Sequence, residues 1–215
     1  MLHRTIAYLA LLTLTGCANT TSSNNEALRK PQTNNSAAYH RLVSDIKAQP
    51  REWVLYDQLL TVYTQLPQYS PYSAQAQGNK LRVYAQMDAG NWTACMITAE
   101  QMLSDNFSSL TAHYSAMVCA YEGKIKIRGD YHKVMLEGLM GAIKRTGNAL
   151  SINSPIKLAS ANDLYTFAEL QNYRVIGQAL AYRDKKPLHK IKLQNNQSKK
   201  TVYWFIDLGD PASKL

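Results

Sequence analysis

The side chains with the most distinctive chemistry in this sequence are three cysteines, Cys17, Cys95 and Cys119. A thiol can form a thioether, a disulfide or a metal bond, and its surroundings decide which. Cys17 ends an apolar run, LALLTLTGCA over residues 9–18, that follows a short start carrying His3 and Arg4. A basic start, the apolar stretch from Ile6 to Leu14 and the small residues Thr15 and Gly16 are the parts of a secretory leader. The run is too short to cross a bilayer as a helix, which takes about twenty apolar residues. Residues 1–16 therefore read as a leader and not as an anchor.

The tetrapeptide Leu14-Thr15-Gly16-Cys17 resembles the lipobox of bacterial lipoproteins, where the cysteine sulfur receives a diacylglycerol and becomes the first mature residue. The resemblance implies that Cys17 is the lipidation site and that the protein meets the membrane through this anchor. Ala18 follows, not the aspartate that retains lipoproteins in the inner membrane, so the expected location is the outer membrane, facing the periplasm. Several acyl chains on one residue hold where one chain is marginal. After Cys17, residues 18–37 are rich in Asn, Ser and Thr with Leu28 as the one large apolar side chain, and read as a disordered tether.

Cys95 and Cys119 remain. In an oxidising periplasm such a pair can bridge, and two antiparallel helices over 92–104 and 108–122 would put them at similar distances from the intervening turn. Two buried free thiols are the other reading, since cysteine is a common small core residue. His113 and His132 lie on different helices at unequal distances from their turn and are not expected to face one another. No HExxH, CxxC, GxSxG or phosphate-cradling loop occurs, and nothing singles out two of the fifteen acidic residues as a glycosidase pair. The expectation is a non-enzyme with no metal and no cofactor.

The formal charge is +9, and much of the excess gathers late in the chain at Arg183, Lys185, Lys186, Lys190, Lys192, Lys199 and Lys200. Behind a secretory leader this points away from nucleic acid and toward anionic lipid, glycan or an acidic protein. Lysines that guard exposed strand edges against aggregation are an equal reading.

The elements that must position these residues change period along the chain. Helical spacing recurs at Tyr39, Leu42, Val43 and Ile46, then at Leu55, Leu59, Val62, Tyr63 and Leu66. After a loop over 67–78 it returns at Leu81, Tyr84 and Ala85, along the two helices that carry the cysteines, and at Tyr131, Met135, Leu139, Ala142 and Ile143, with Gly147 as C-cap. The stretch from Gly90-Asn91-Trp92 to Glu122-Gly123, with Ala94, Cys95, Ala99, Ala112, Ala116 and Ala120 at the crossing, looks like a tetratricopeptide repeat. A short helix over 160–171, capped by Asn162, precedes a switch to period two over 173–182, at His189, Ile191 and Leu193, and at Val202, Trp204, Ile206 and Leu208. The predicted fold is α+β: a tetratricopeptide-like helical part over 38–150, then over 151–215 a short helix and an antiparallel sheet of about three strands.

The runs YDQLLTVYTQLPQYSPYS, GNWTACMITAEQMLSDNFSSLTAHYSAMVCAYEGK, YHKVMLEGLMGAI and TVYWFIDL resemble the bacterial family known as domain of unknown function 4919, over roughly residues 53–208. The resemblance implies an architecture and an envelope setting, with no activity attached. Where relatives carry Ser-Gly-Asp-Gly after the long helix, this chain has Thr146-Gly147-Asn148-Ala149, without the acid. The expected function is a periplasmic protein-binding adaptor or accessory factor of an envelope assembly such as a secretion apparatus. It would work through the basic hairpin or through a helical groove bearing Tyr63, Tyr84, Tyr114 and Tyr121. An envelope hydrolase acting on peptidoglycan or glycan is the alternative.

Overall fold

The computed structural model describes residues 30–209; the leader, Cys17 and the tether up to residue 29 lie outside the described residues. Helices come first and the sheet last, an α+β fold. The helices are α1 (Lys30–Ala48), α2 (Val54–Tyr63), α3 (Ala74–Asp88), α4 (Trp92–Asp105), α5 (Leu110–Glu122), α6 (Lys126–Thr146) and α7 (Ala161–Leu170). The strands are β1 (Ile156–Lys157), β2 (Tyr173–Arg183), β3 (Lys186–Asn195) and β4 (Thr201–Asp207), in sheet order β1-β4-β3-β2.

Four expectations are corrected. Residues 30–37 belong to α1 and not to a tether. Once Tyr39, Leu42 and Ile46 fix the helix in the core, extending it upstream needs no new nucleus, and Pro31 sits in the first turn, where its missing N–H costs nothing. Helix α3 starts at Ala74 inside the expected loop, capped by the Ser73 hydroxyl that accepts from the Ala76 N–H at 3.2 Å. Its inward residues are Asn79 and Val83, while Leu81 is 61% exposed. Helix α7 is capped by Ser160, whose hydroxyl accepts from the Asp163 N–H, and not by Asn162. The sheet is mixed, not wholly antiparallel, because β1 pairs parallel to β4 through Ile156 and Ile206. Two residues are too few to show a period in sequence.

Helices α3, α4, α5 and α6 pack each on the next, as repeat helices do. Helix α2 packs on α6 and α1 packs on α2, so the first pair closes on the far end of the row, and the helices do not form a solenoid in chain order. The small residues Cys95, Ala99, Ala112, Ala116 and Ala120 are all buried at the α4–α5 crossing. Gly138 lets Tyr56 of α2 lie flat against α6, since a Cβ there would come within 2.4 Å of the ring. The Tyr56 hydroxyl donates to the Pro50 carbonyl at 2.8 Å, which settles the polar end of this buried side chain.

The sheet turns Ile191, Leu193, Trp204 and Ile206 into the main core. Trp204 meets the rings of Phe167 and Tyr173 edge-on at 5.7 and 5.2 Å, tying α7 to β2 and β4. The turn after α6 is a joint between layers. A Cβ on Gly147 would lie 2.3 Å from the Pro155 carbonyl oxygen, and the Ala149 carbonyl accepts from the Phe205 N–H at 2.8 Å. The Thr146-Gly147-Asn148-Ala149 segment thus has a structural duty as the joint between α6 and the sheet.

Candidate functional site

The β2–β3 hairpin turns at Asp184 and Lys185, both with positive φ, as a two-residue hairpin loop requires. Strand β2 is a sheet edge, and apart from a bulge at Val175–Gly177 it is regular to Arg183. β4 reaches only to the His189–Ile206 pair, so the Ala181–Arg183 end of the hairpin runs past it. Leu180 and Tyr182 share a face with His189 and are 56% and 64% exposed. The helices cover this face near Tyr173 and Val175 but not at the hairpin end.

The six lysines do not form one patch. Lys185 and Lys186 sit at one end of β3 and Lys199 and Lys200 past the other, about 30 Å apart at strand rise. Lys186 Nζ donates to the buried Asp207 carboxylate at 2.8 Å and Lys199 Nζ to the Asn196 carbonyl at 2.6 Å. Lys190 lies over the Tyr203 ring at 4.8 Å on the outer sheet face, where Lys192 is exposed beside Gly177. The hairpin is basic along its whole length, with its charge distributed in three places.

Cys95 and Cys119 form a disulfide across α4 and α5, with Cα atoms 5.8 Å apart. Beside it the histidine expectation is overturned: His113 Nδ1 and His132 Nδ1 are 3.2 Å apart in the interior. Counting residues from the turn leaves them offset by roughly one helical turn, and a close crossing removes that offset. The crossing is close because Gly129 has no Cβ, which would lie 2.5 Å from the Tyr121 ring.

The histidine pair belongs to a chain of hydrogen bonds. His113 Nε2 donates to the Phe107 carbonyl at 2.9 Å, so its Nδ1 is left to accept from His132. His132 Nε2 meets Glu100 Oε1 at 3.2 Å, and Arg128 donates to the same carboxylate oxygen. His132 thus lies between His113 Nδ1 and the Glu100 carboxylate, one ring nitrogen facing each. Its hydrogen bond is the main reason the Glu100 carboxyl titrates near 2, with Arg128 adding to it against partial burial. Burial, reinforced by the charge of His132, pushes His113 down to about 3. A general base must reach a substrate proton, and His113 is fully enclosed, so this chain ties α4, α5 and α6 together.

Asp163, the third residue of α7, is a second buried polar centre. Its Oδ1 accepts from the Ser109 hydroxyl at 3.0 Å and the Thr111 N–H at 2.9 Å, at the start of α5. Burial raises its carboxyl above the usual range, against those hydrogen bonds, and Oδ2 has no partner among the described residues. Nothing local in the sequence distinguishes Asp163, because a lone acid at a helix start has the pattern of an ordinary capping residue.

The four tyrosines of the expected groove make separate contacts. Tyr63 packs on Tyr39 and Tyr69, Tyr84 reaches Thr166, and Tyr121 donates to Asp130 at 2.8 Å. Tyr114 is half-buried against the main core. Among the described residues no three His, Cys, Asp or Glu side chains converge as a metal site, and no helix is long and apolar enough to cross a membrane. No family model matches the chain, and neither a curated protein nor a solved structure does.

Proposed function

We propose that this protein is a lipid-tethered adaptor of the bacterial outer membrane, related to the domain of unknown function 4919 family, that holds an envelope protein partner on the periplasmic side. The observation that carries the reading is the β2 edge: an open strand with Leu180 and Tyr182 exposed on a basic hairpin beyond the helical layer. An open edge offers main-chain hydrogen bonds to an added strand, and alternate side chains select it. The complementary partner presents an extended segment bearing acidic and apolar side chains.

The test is retention of a co-purifying envelope protein by the wild type, by Leu180→Asp with Tyr182→Asp, and by Lys185→Glu with Lys190→Glu and Lys192→Glu. Both variants lose the partner while their thermal midpoints stay within about 2 °C of wild type, because exposed side chains contribute little to stability. Moderate salt weakens the wild-type complex by screening. Equal retention by all three proteins would remove the hairpin from the interface. Cys17→Ser, which lacks the sulfur that receives lipid, leaves the protein out of the outer-membrane fraction.

A further inference from the structure

Strand β3 lies between β4 and β2, so its lysines do not guard a sheet edge. Ile191 and Leu193 point into the main core, and the residues that alternate with them, Lys190 and Lys192, point to the opposite face of the sheet. Register sets Phe205 of β4 beside Lys190, Tyr203 beside Lys192, and Arg174 of β2 beside Gln194. Lys190 Nζ stands 4.8 Å from the Tyr203 ring centre and 6.0 Å from that of Phe205, and Arg174 Nε donates to Gln194 Oε1 at 3.0 Å. Arg174 and Lys192 are exposed, and Tyr203 is 46% exposed. Among the residues of β2, β3 and β4 that face this way the one acid is Asp207, which is buried and held by Lys186.

Charge and shape together select the ligand. Arg174, Lys190 and Lys192 are a surplus of positive charge with no acid among them, so the face is complementary to anions. The cations sit on two neighbouring strands and the rings on a third, a field of roughly 13 by 10 Å from strand rise and spacing. A row of cations along one strand would suit a single acidic chain, whereas a flat field suits anionic groups arrayed in a plane. Exposed tyrosine settles at the boundary between lipid headgroups and acyl chains, and a lysine stem lies along apolar surface while its ammonium group stays in water. A bilayer of anionic phospholipid supplies all of this. Residues 18–29, even fully extended, reach about 40 Å from Cys17, so a lipid on that cysteine keeps such a surface at hand.

We infer that the outer face of strands β2, β3 and β4 docks on a bilayer surface bearing anionic phospholipid, with Arg174, Lys190 and Lys192 meeting phosphate groups and Tyr203 at the headgroup boundary. The inference rests on the adaptor reading only for the tether that keeps a membrane near.

The experiment is sedimentation of the full chain with vesicles of phosphatidylcholine alone and of phosphatidylcholine mixed with phosphatidylglycerol. A leader or an acyl anchor inserts into both, so the ratio of the two partition coefficients reads the sheet face and not Cys17. Each cation at an anionic surface raises partitioning about fivefold, so the wild type prefers the mixed vesicles by about a hundredfold. Arg174→Gln with Lys192→Gln leaves a preference of about fivefold, and its thermal midpoint holds because both side chains are exposed. Lys133→Gln with Lys144→Gln, which removes the same charge from the exposed side of α6, keeps the wild-type ratio. So does Leu180→Ser with Tyr182→Ser, which removes the β2 docking side chains, so failure of the adaptor interface and failure of the membrane face are told apart. A wild-type ratio near one, an unchanged ratio in the Arg174 and Lys192 variant, or an equal fall in the α6 variant overturns the inference. Capture by immobilised polyglutamate with no preference between the vesicles assigns the face to an acidic protein and overturns it as well.

Discussion

Helix α5 and strand β2 invert one another's relation between side-chain type and environment. α5 is buried on nearly every face yet carries Thr111, His113 and Ser115 inside, whereas β2 is exposed along most of its length yet carries Ile176, Leu180 and Tyr182 outside. The polar groups of α5 are kept because specific partners meet them: Thr166 at 2.9 Å for Thr111, and Phe107 and His132 for His113. Ser115 Oγ is the exception, buried without a partner among the described residues. Among the described residues no comparable set of partners encloses the exposed apolar groups of β2. Interior polarity here ties particular helices together, while the exposed apolar side chains of β2 are the ones the adaptor proposal rests on.

The comparison breaks most easily at its two ends. Leu110→Ala in α5, at a fully enclosed position, costs about 2–5 kcal/mol by chemical denaturation. Comparable costs for Leu110→Ala and Leu180→Ala would end the distinction between the two regions.

Reduction of the Cys95–Cys119 bridge comes next, because its closed loop spans 24 residues and the bond joins α4 and α5 where small buried residues let them cross. About 2–4 kcal/mol should be lost with dithiothreitol. Mass mapping of the unreduced, thiol-blocked protein checks the bridge itself.

The histidine chain sharpens the comparison through pH. His113 titrates near 3 in the fold and near its ordinary 6.5 when unfolded, so between those values the unfolded chain binds a proton that the folded one does not. Stability from this group is therefore complete above about pH 6.5 and falls as pH drops toward 3, by at most about 1.4 kcal/mol per pH unit. Glu100, held near 2, adds a further loss below its unfolded value. Urea midpoints measured from pH 7 to 4 report this slope, and His113→Gln, which cannot titrate, flattens it. An unchanged slope in that variant would place the pH response elsewhere.

The smallest effect is expected at the hairpin, where Leu180→Ala should change stability by no more than about 0.5 kcal/mol in either direction.

The residues themselves determined much of this fold. Helical spacing placed α2, α4 and α6, and period two placed β3 and β4, because those elements bury one face and repeat long enough to show it. The inward sets Leu164, Phe167 and Ala168, and Ile191 and Leu193, were legible for the same reason. Tertiary structure alone decided the rest. The start of α3 has a polar inner face, so its pattern is silent, and β1 is held by the register of β4 and not by its own two residues. The docking of α2 on α6 depends on Gly138 beneath Tyr56, a contact between positions far apart in sequence. The meeting of His113 with His132, and of Asp163 with the start of α5, follows from how closely helices cross, which side-chain size at distant positions sets and no local period records.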